Sequence, residues 1–222
     1  MKVLELFAGS RSIGKVAESR GHSVFSIDVK PFDGINLVKD IEYLEPSDIP
    51  FEPDIIWASP PCTTYSIAAI GRHRDMGKPK TNFAAKSDKL VEKTIRIINS
   101  FNCVFYIENP RGYMRKMYFM LEIPRVTVWY CQYGDKAAKP TDIWSNNLRS
   151  IFNVSGWNPR PECFNGNTNC HHDKQPRGYS AKLAANAIGK GTQGKKDNYE
   201  RSKIPQQLCE EIIIATEKSI KQ

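Results

Sequence analysis

Asp54-Ile55-Ile56-Trp57-Ala58-Ser59-Pro60-Pro61-Cys62 is the stretch on which the fold turns. A short apolar run closed by Ser-Pro-Pro reads as a buried strand that hands a thiol to a stiffened loop, because proline fixes φ. Cys103-Val104-Phe105-Tyr106-Ile107 is a second such run, and it ends in Glu108-Asn109-Pro110. Two strands of one parallel sheet bring Cys62 and Glu108 to its C-terminal edge, where open α/β sheets build their sites.

Working outward, Val3-Leu4-Glu5-Leu6-Phe7 reads as a first buried strand, Gly9 to Gly14 as a turn and Ile13 to Ser19 as a helix stopped by Gly21. Ser23 to Ile27 makes a second strand that ends at Asp28. Beyond the Ile55 strand, the pattern predicts a helix over about Ser87 to Phe101, the Val104 strand and a Met-rich helix from Tyr113 to Leu121. The spacing of Met114, Met117 and Met120 reads as a packed face. Val126 to Tyr130 and Thr141 to Trp144 read as an antiparallel hairpin closing the sheet. This alternation predicts a Rossmann-like α/β fold with a mostly parallel, doubly wound sheet.

From Asn153 to Ser202 periodicity gives way to Gly, Asn, Pro, Lys and Arg, as in Gly189-Lys190-Gly191-Thr192-Gln193-Gly194-Lys195-Lys196. The expected organisation is a catalytic domain over 1–152, a small basic insertion over 153–202 and a C-terminal helix within 203–222 that packs back on the first domain. Pro205 opens that helix, with Leu208, Ile212, Ala215 and Ile220 on its apolar side.

The 222 residues suffice for one domain with a sizeable core. No apolar run of about 18 residues is present, nor a signal-peptide pattern, so a soluble, cytoplasmic protein without a membrane partner is expected. Six cysteines form no compact disulfide framework. Cys103, Cys131 and Cys209 read as core thiols. The net charge of +8 is uneven: residues 1–60 hold six Lys/Arg against ten Asp/Glu, and the remainder 26 against 14. A basic remainder suits a polyanionic partner, and a basic surface kept only for solubility is the plainer reading.

Phe7-Ala8-Gly9-Ser10 sets a glycine turn between strand and helix, where backbone closely approaches a ligand. Asp28, followed by Val29, ends the next strand, where a carboxylate accepts from ribose hydroxyls; Asp40-Ile41 lies beyond, within reach of an adenine amine. No Gly-x-x-x-x-Gly-Lys-Ser/Thr loop is present, which argues against a nucleotide triphosphatase. After Ser66, the residues Arg72, Arg74 and Lys78 lie among glycines and Pro79, the composition of a basic loop that grips phosphate over the nucleophile. Cys163, Cys170, His171 and His172 are potential zinc ligands, with Cys131 as a substitute. Three consecutive ligands close one tetrahedron poorly, so no metal is expected.

Ser59-Pro60-Pro61-Cys62-Thr63-Thr64-Tyr65-Ser66 and Glu108-Asn109-Pro110 resemble the Pro-Cys and Glu-Asn loops of the cytosine-C5 DNA methyltransferase family. The resemblance is strong over residues 1–120. It implies a class I methyltransferase fold that binds S-adenosylmethionine through Phe7, Ala8, Gly9, Ser10, Asp28, Val29, Asp40, Ile41, Ser59, Pro60 and Ser202. It also implies Cys62 as the nucleophile that adds to C6 of a flipped cytosine, and Glu108 as the acid at N3. Ser66, Arg72, Arg74, Lys78, Asn109, Gln132, Lys136, Arg177, Lys190 and Lys195 are the expected contacts to DNA, double-stranded by preference, made by a monomer.

The sequence departs from the family at Ser10-Arg11-Ser12, which stands where a second glycine cluster is usual. Ser202 replaces the usual Asn. Only Gln132 persists from the Gln-x-Arg-x-Arg strand, with Lys136 or Lys139 as substitutes. RNA cytosine-C5 methylation, N4-cytosine methylation and a catalytically weak DNA-binding regulatory role of the same fold stay open.

Overall fold

The computed structural model describes residues 1–67, 70–164, 167–172 and 198–221. Arg177, Lys190 and Lys195 lie outside the described residues. Seven strands form one sheet: β1 (Lys2–Leu6), β2 (Ser23–Asp28), β3 (Leu37–Val38), β4 (Ile55–Ala58), then, past a small hairpin of β5 (Arg74–Asp75) and β6 (Lys78–Pro79), β7 (Val104–Pro110), β8 (Arg125–Trp129) and β9 (Pro140–Ser145). Their order is β3-β2-β1-β4-β7-β9-β8. The first five are parallel, and β9 runs antiparallel to both β7 and β8. The expected closing hairpin is therefore present, with its second strand inserted beside β7.

Strand order reverses between β1 and β4, so ligands are expected above their carboxyl ends. Burial of β1 and β4 on both faces explains their continuous apolar character. On one face α1 (Ser12–Ser19) packs against the last helix, α5 (Gln206–Ile220), over a core containing Val3, Ile55, Trp57 and Tyr106. On the other, α3 (Asn82–Asn99) covers Leu4, Ile56 and Ile107. Two short helices, α2 (Ile70–His73) and α4 (Asn198–Ser202), lie at the sheet's C-terminal edge with the loops.

Four local expectations change. Helix α3 starts at Asn82 because the Thr81 side chain accepts from the Ala84 amide and caps it. The methionine segment is two 3-10 turns, Tyr113–Lys116 and Tyr118–Met120, rather than one α-helix, although Met114, Met117 and Met120 are all buried. Ile220 is exposed, and Cys209, Ile213 and Thr216 complete the buried side of α5. Trp157, assigned by sequence to the insertion, sits in the main core with its ring edge toward Tyr106 at 6.2 Å. No described helix is long and apolar enough to cross a membrane.

Candidate functional site

The glycine turn after β1 is built on unusual backbone. Phe7, Gly9 and Arg11 have φ of 56°, 44° and 54°. Arg11 occupies the place of a family glycine yet adopts the left-handed conformation a glycine would take, a strain of about 1–2 kcal/mol. Its side chain turns inward, donating to Ser26 Oγ at 3.1 Å and pairing with Glu18, which holds the backbone in place. Gly14 is required for contact: a Cβ there would stand 2.5 Å from Glu5 Oε2. The carboxyl of Glu5 is buried beneath the turn and accepts from Ser26 Oγ at 2.9 Å. Burial pushes its pKa up to about 7.

Asp28 accepts from the Gly9 amide at 3.0 Å and the Lys30 amide at 2.9 Å, which orients its carboxylate at the mouth of the turn. Ser202 approaches Gly9 from the C-terminal side, and Ser12 Oγ accepts from the Ile204 amide at 3.1 Å. Phe32 and Tyr199 meet above, ring centroids 5.6 Å apart.

Next to this turn, the Pro60 carbonyl accepts from Asn109 Nδ2 at 2.8 Å, which ties the loops after β4 and β7 together. The Cys62 carbonyl accepts from the Tyr65 and Ser66 amides, both at 3.0 Å, closing a 3-10 turn. Glu108, 6% exposed, accepts from the Tyr130 hydroxyl at 3.0 Å. Lys139, buried with φ of 26°, stands 4.4 Å from the Tyr130 ring centroid and donates to the Arg201 carbonyl at 2.9 Å. Burial and Glu108 push the Cys62 thiol up, against the opposing pull of Lys139 and Arg201.

One cavity of about 900 Å³ joins these features. Cys62 and Glu108 face it, as do all the residues expected to hold the cofactor, from Phe7 to Ser202. A thiol, a carboxyl group and an adenosine-sized cleft thus share one space.

The sequence profile of C-5 cytosine-specific DNA methylases matches residues 1–118. The chain belongs to this family. Its members transfer a methyl group to C5 of cytosine. The chain is 28% identical over 223 residues to a "Probable DNA (cytosine-5)-methyltransferase" of Frog virus 3, covering 96% of this chain and 99% of that protein. The fold is similar to that of Entamoeba histolytica methyltransferase EhMeth, with TM-score 0.51 and 17% identity over 73% of this chain and 57% of that one. It also matches a DNA modification methyltransferase encoded within an E. coli prophage, with TM-score 0.50 and 14% identity over 65% and 46%. The chain spans about half the length of these two solved structures.

Within the methylase frame, the expected DNA contacts divide. Ser66 lines the cavity, and Arg72, Lys78 and Lys136 are exposed. Arg74 is turned inward instead: it forks onto Asp88 at 2.6 and 3.0 Å, donates to the Thr64 carbonyl at 3.0 Å and lies over the Tyr65 ring. Asn109 is buried and holds the Cys62 loop. Gln132 points to the sulfurs of Cys131 and Cys170, away from the cavity, while Lys139 rather than Lys136 reaches the cavity wall. Sequence reasoning missed Tyr130, Glu5, Phe32 and Tyr199, whose residue types carry no signal outside a fold. Cys163, Cys170 and His172 lie apart from the cavity, and the exposed His171 donates from Nε2 to the Asp135 carbonyl at 3.2 Å.

Proposed function

We propose that this methylase acts on cytosine in double-stranded DNA through a covalent Cys62 adduct, with S-adenosylmethionine as methyl donor. The observation that carries the reading is the single cavity shared by Cys62, Glu108, Gly9 and Asp28. The residues fit the donor: the Asp28 carboxylate has lone pairs left for ribose hydroxyls, and the Phe7 to Ser10 backbone leaves room for close approach. When bound, the donor supplies an electrophilic methyl group.

C5 of cytosine is too weak a nucleophile until electrons are pushed into the ring. Cys62, deprotonated, adds to C6, and the electron pair of the C5–C6 bond becomes available at C5. Glu108, donating a proton toward N3, stabilises the ring while it carries the thioether. Tyr130 donates to Glu108 and leaves the other carboxyl oxygen for the base. After transfer, loss of the C5 proton to a base expels the Cys62 thiolate and restores aromaticity. The raised Cys62 pKa keeps the thiol neutral in the free protein, so a cation or a proton acceptor brought beside it is needed to ionise it. Lys139 is the buried cation nearest in role, since it already favours the thiolate.

DNA containing 5-fluorocytosine tests this, because fluorine at C5 cannot leave as a proton. With S-adenosylmethionine present, the protein is expected to form a denaturation-resistant adduct that maps to Cys62. An adduct formed equally by Cys62→Ala defeats the assignment, and an adduct formed only on RNA reassigns the substrate.

A further inference from the structure

Cys131 and a later stretch of chain that carries Cys163, Cys170 and His172 converge away from the catalytic cavity. Cys131, Cys163, Cys170 and His172 place one sulfur or ring nitrogen each within 4.8 Å of one another. Cys131 follows β8 in a 3-10 turn, Tyr130–Tyr133, and the other three come from the segment beyond Trp157. Alternation resolves the crowding of Cys170-His171-His172: His171 swings out to the Asp135 carbonyl, and Cys131 takes its place.

We propose that these four side chains bind one structural zinc ion as a Cys3His site. In a tetrahedral zinc site with Zn–S of about 2.3 Å and Zn–N of about 2.0 Å, a sulfur and a nitrogen ligand stand about 3.6 Å apart. Cys163 Sγ and His172 Nδ1 are 3.8 Å apart. Soft thiolates with one imidazole in a closed, protein-only set match zinc rather than calcium or magnesium.

Burial and the donors around the set point to a ligand. His172 is 3% exposed, with Nδ1 beside Cys163 Sγ. The sulfurs also have amide donors turned toward them: Asn167 Nδ2 is 3.3 Å from Cys163 Sγ, and Gln132 Nε2 is 3.8 Å from Cys170 Sγ and 3.9 Å from Cys131 Sγ. Donors of this kind offset the negative charge that three thiolates leave on a zinc centre. Binding releases three thiol protons to solvent and leaves the imidazole neutral, with no change of oxidation state.

The site closes a loop between β8 and the segment that follows the main core. Ala138 packs against it, and the adjacent Lys139 lines the catalytic cavity. The ion therefore fixes the base of the basic segment and the strained Lys139 turn together.

The full chain, expressed with zinc and purified under reductant, is expected to carry about one zinc per chain by mass spectrometry of the metal. Replacement by cobalt is expected to give the intense visible bands of a tetrahedral thiolate site, which a chelator then bleaches. Cys163→Ala and His172→Ala should lose the metal, and His171→Ala should keep it. A folded, reduced wild-type protein that neither retains zinc nor gives those cobalt bands overturns the proposal, whatever the variants do. Retention of full zinc by folded Cys163→Ala and His172→Ala overturns it as well, as does a disulfide among these cysteines that persists under reductant.

Discussion

At the scale of single residues, Glu108 and Glu5 show how burial gives two carboxyl groups different work. Glu108 has an open oxygen toward the cavity, so Glu108→Gln keeps the shape and removes the proton. Turnover is expected to fall about 10²- to 10⁴-fold with S-adenosylmethionine affinity retained, measured by labelled methyl transfer and calorimetry. Near-normal turnover removes Glu108 from the chemistry. Glu5 lies beneath the turn, and burial raises its pKa from 4.5 to about 7. A carboxyl group with a raised pKa binds its proton more tightly when folded. Its contribution to stability is full below about 4.5 and is lost as pH rises through about 7. The difference corresponds to roughly 3 kcal/mol. Glu5→Gln is expected to flatten the decline in urea stability across this window. An unchanged slope shows that Glu5 does not titrate there.

At the scale of elements, the loop between Cys62 and α3 is fixed from within. Arg74, at the start of the β5-β6 hairpin, joins the Thr64 carbonyl to Asp88 of α3, and Tyr65 donates to the same carboxylate at 2.7 Å. Removing one partner of a buried pair costs about 3 kcal/mol or more. Arg74→Ala is therefore expected to lower thermal stability and methylation while leaving the salt dependence of DNA binding unchanged. Arg72→Ala and Lys78→Ala should do the reverse, the slope falling by about 0.9 for every phosphate left without its cation. A reduced slope in Arg74→Ala without loss of stability contradicts this division.

The same loop shows why the sequence was legible in one place and opaque in another. β1, β4 and β7 announced themselves because burial between two layers demands apolar runs, and the residues that end them had nowhere to go but the sheet edge. Arg74 looked like Arg72 because composition does not report which way a side chain turns. Cys131 read as a core thiol because the partners that make it a ligand lie more than 30 residues on, and Trp157 read as part of the insertion because a core residue without periodic neighbours leaves no pattern.

At the scale of the whole molecule, charge is divided as the site is. The first 60 residues, with six basic and ten acidic side chains, supply about half of the cavity wall, and the basic excess follows in the remainder. That excess supplies phosphate attraction, which carries no sequence information. Lys190, Lys195 and Lys196 are accordingly expected to act on all DNA alike: neutralising them together should weaken binding to every sequence and lower the salt slope by up to about 0.9 for each lysine. Discrimination needs side chains held against base edges, each bidentate pair contributing about 1–3 kcal/mol, and an insertion of about 50 residues, part of it already in the core, presents few of them. A short or degenerate target is expected. Bisulfite sequencing of treated DNA maps it, and a strict palindrome of about six base pairs or more would require more base-reading side chains than this chain has room to hold.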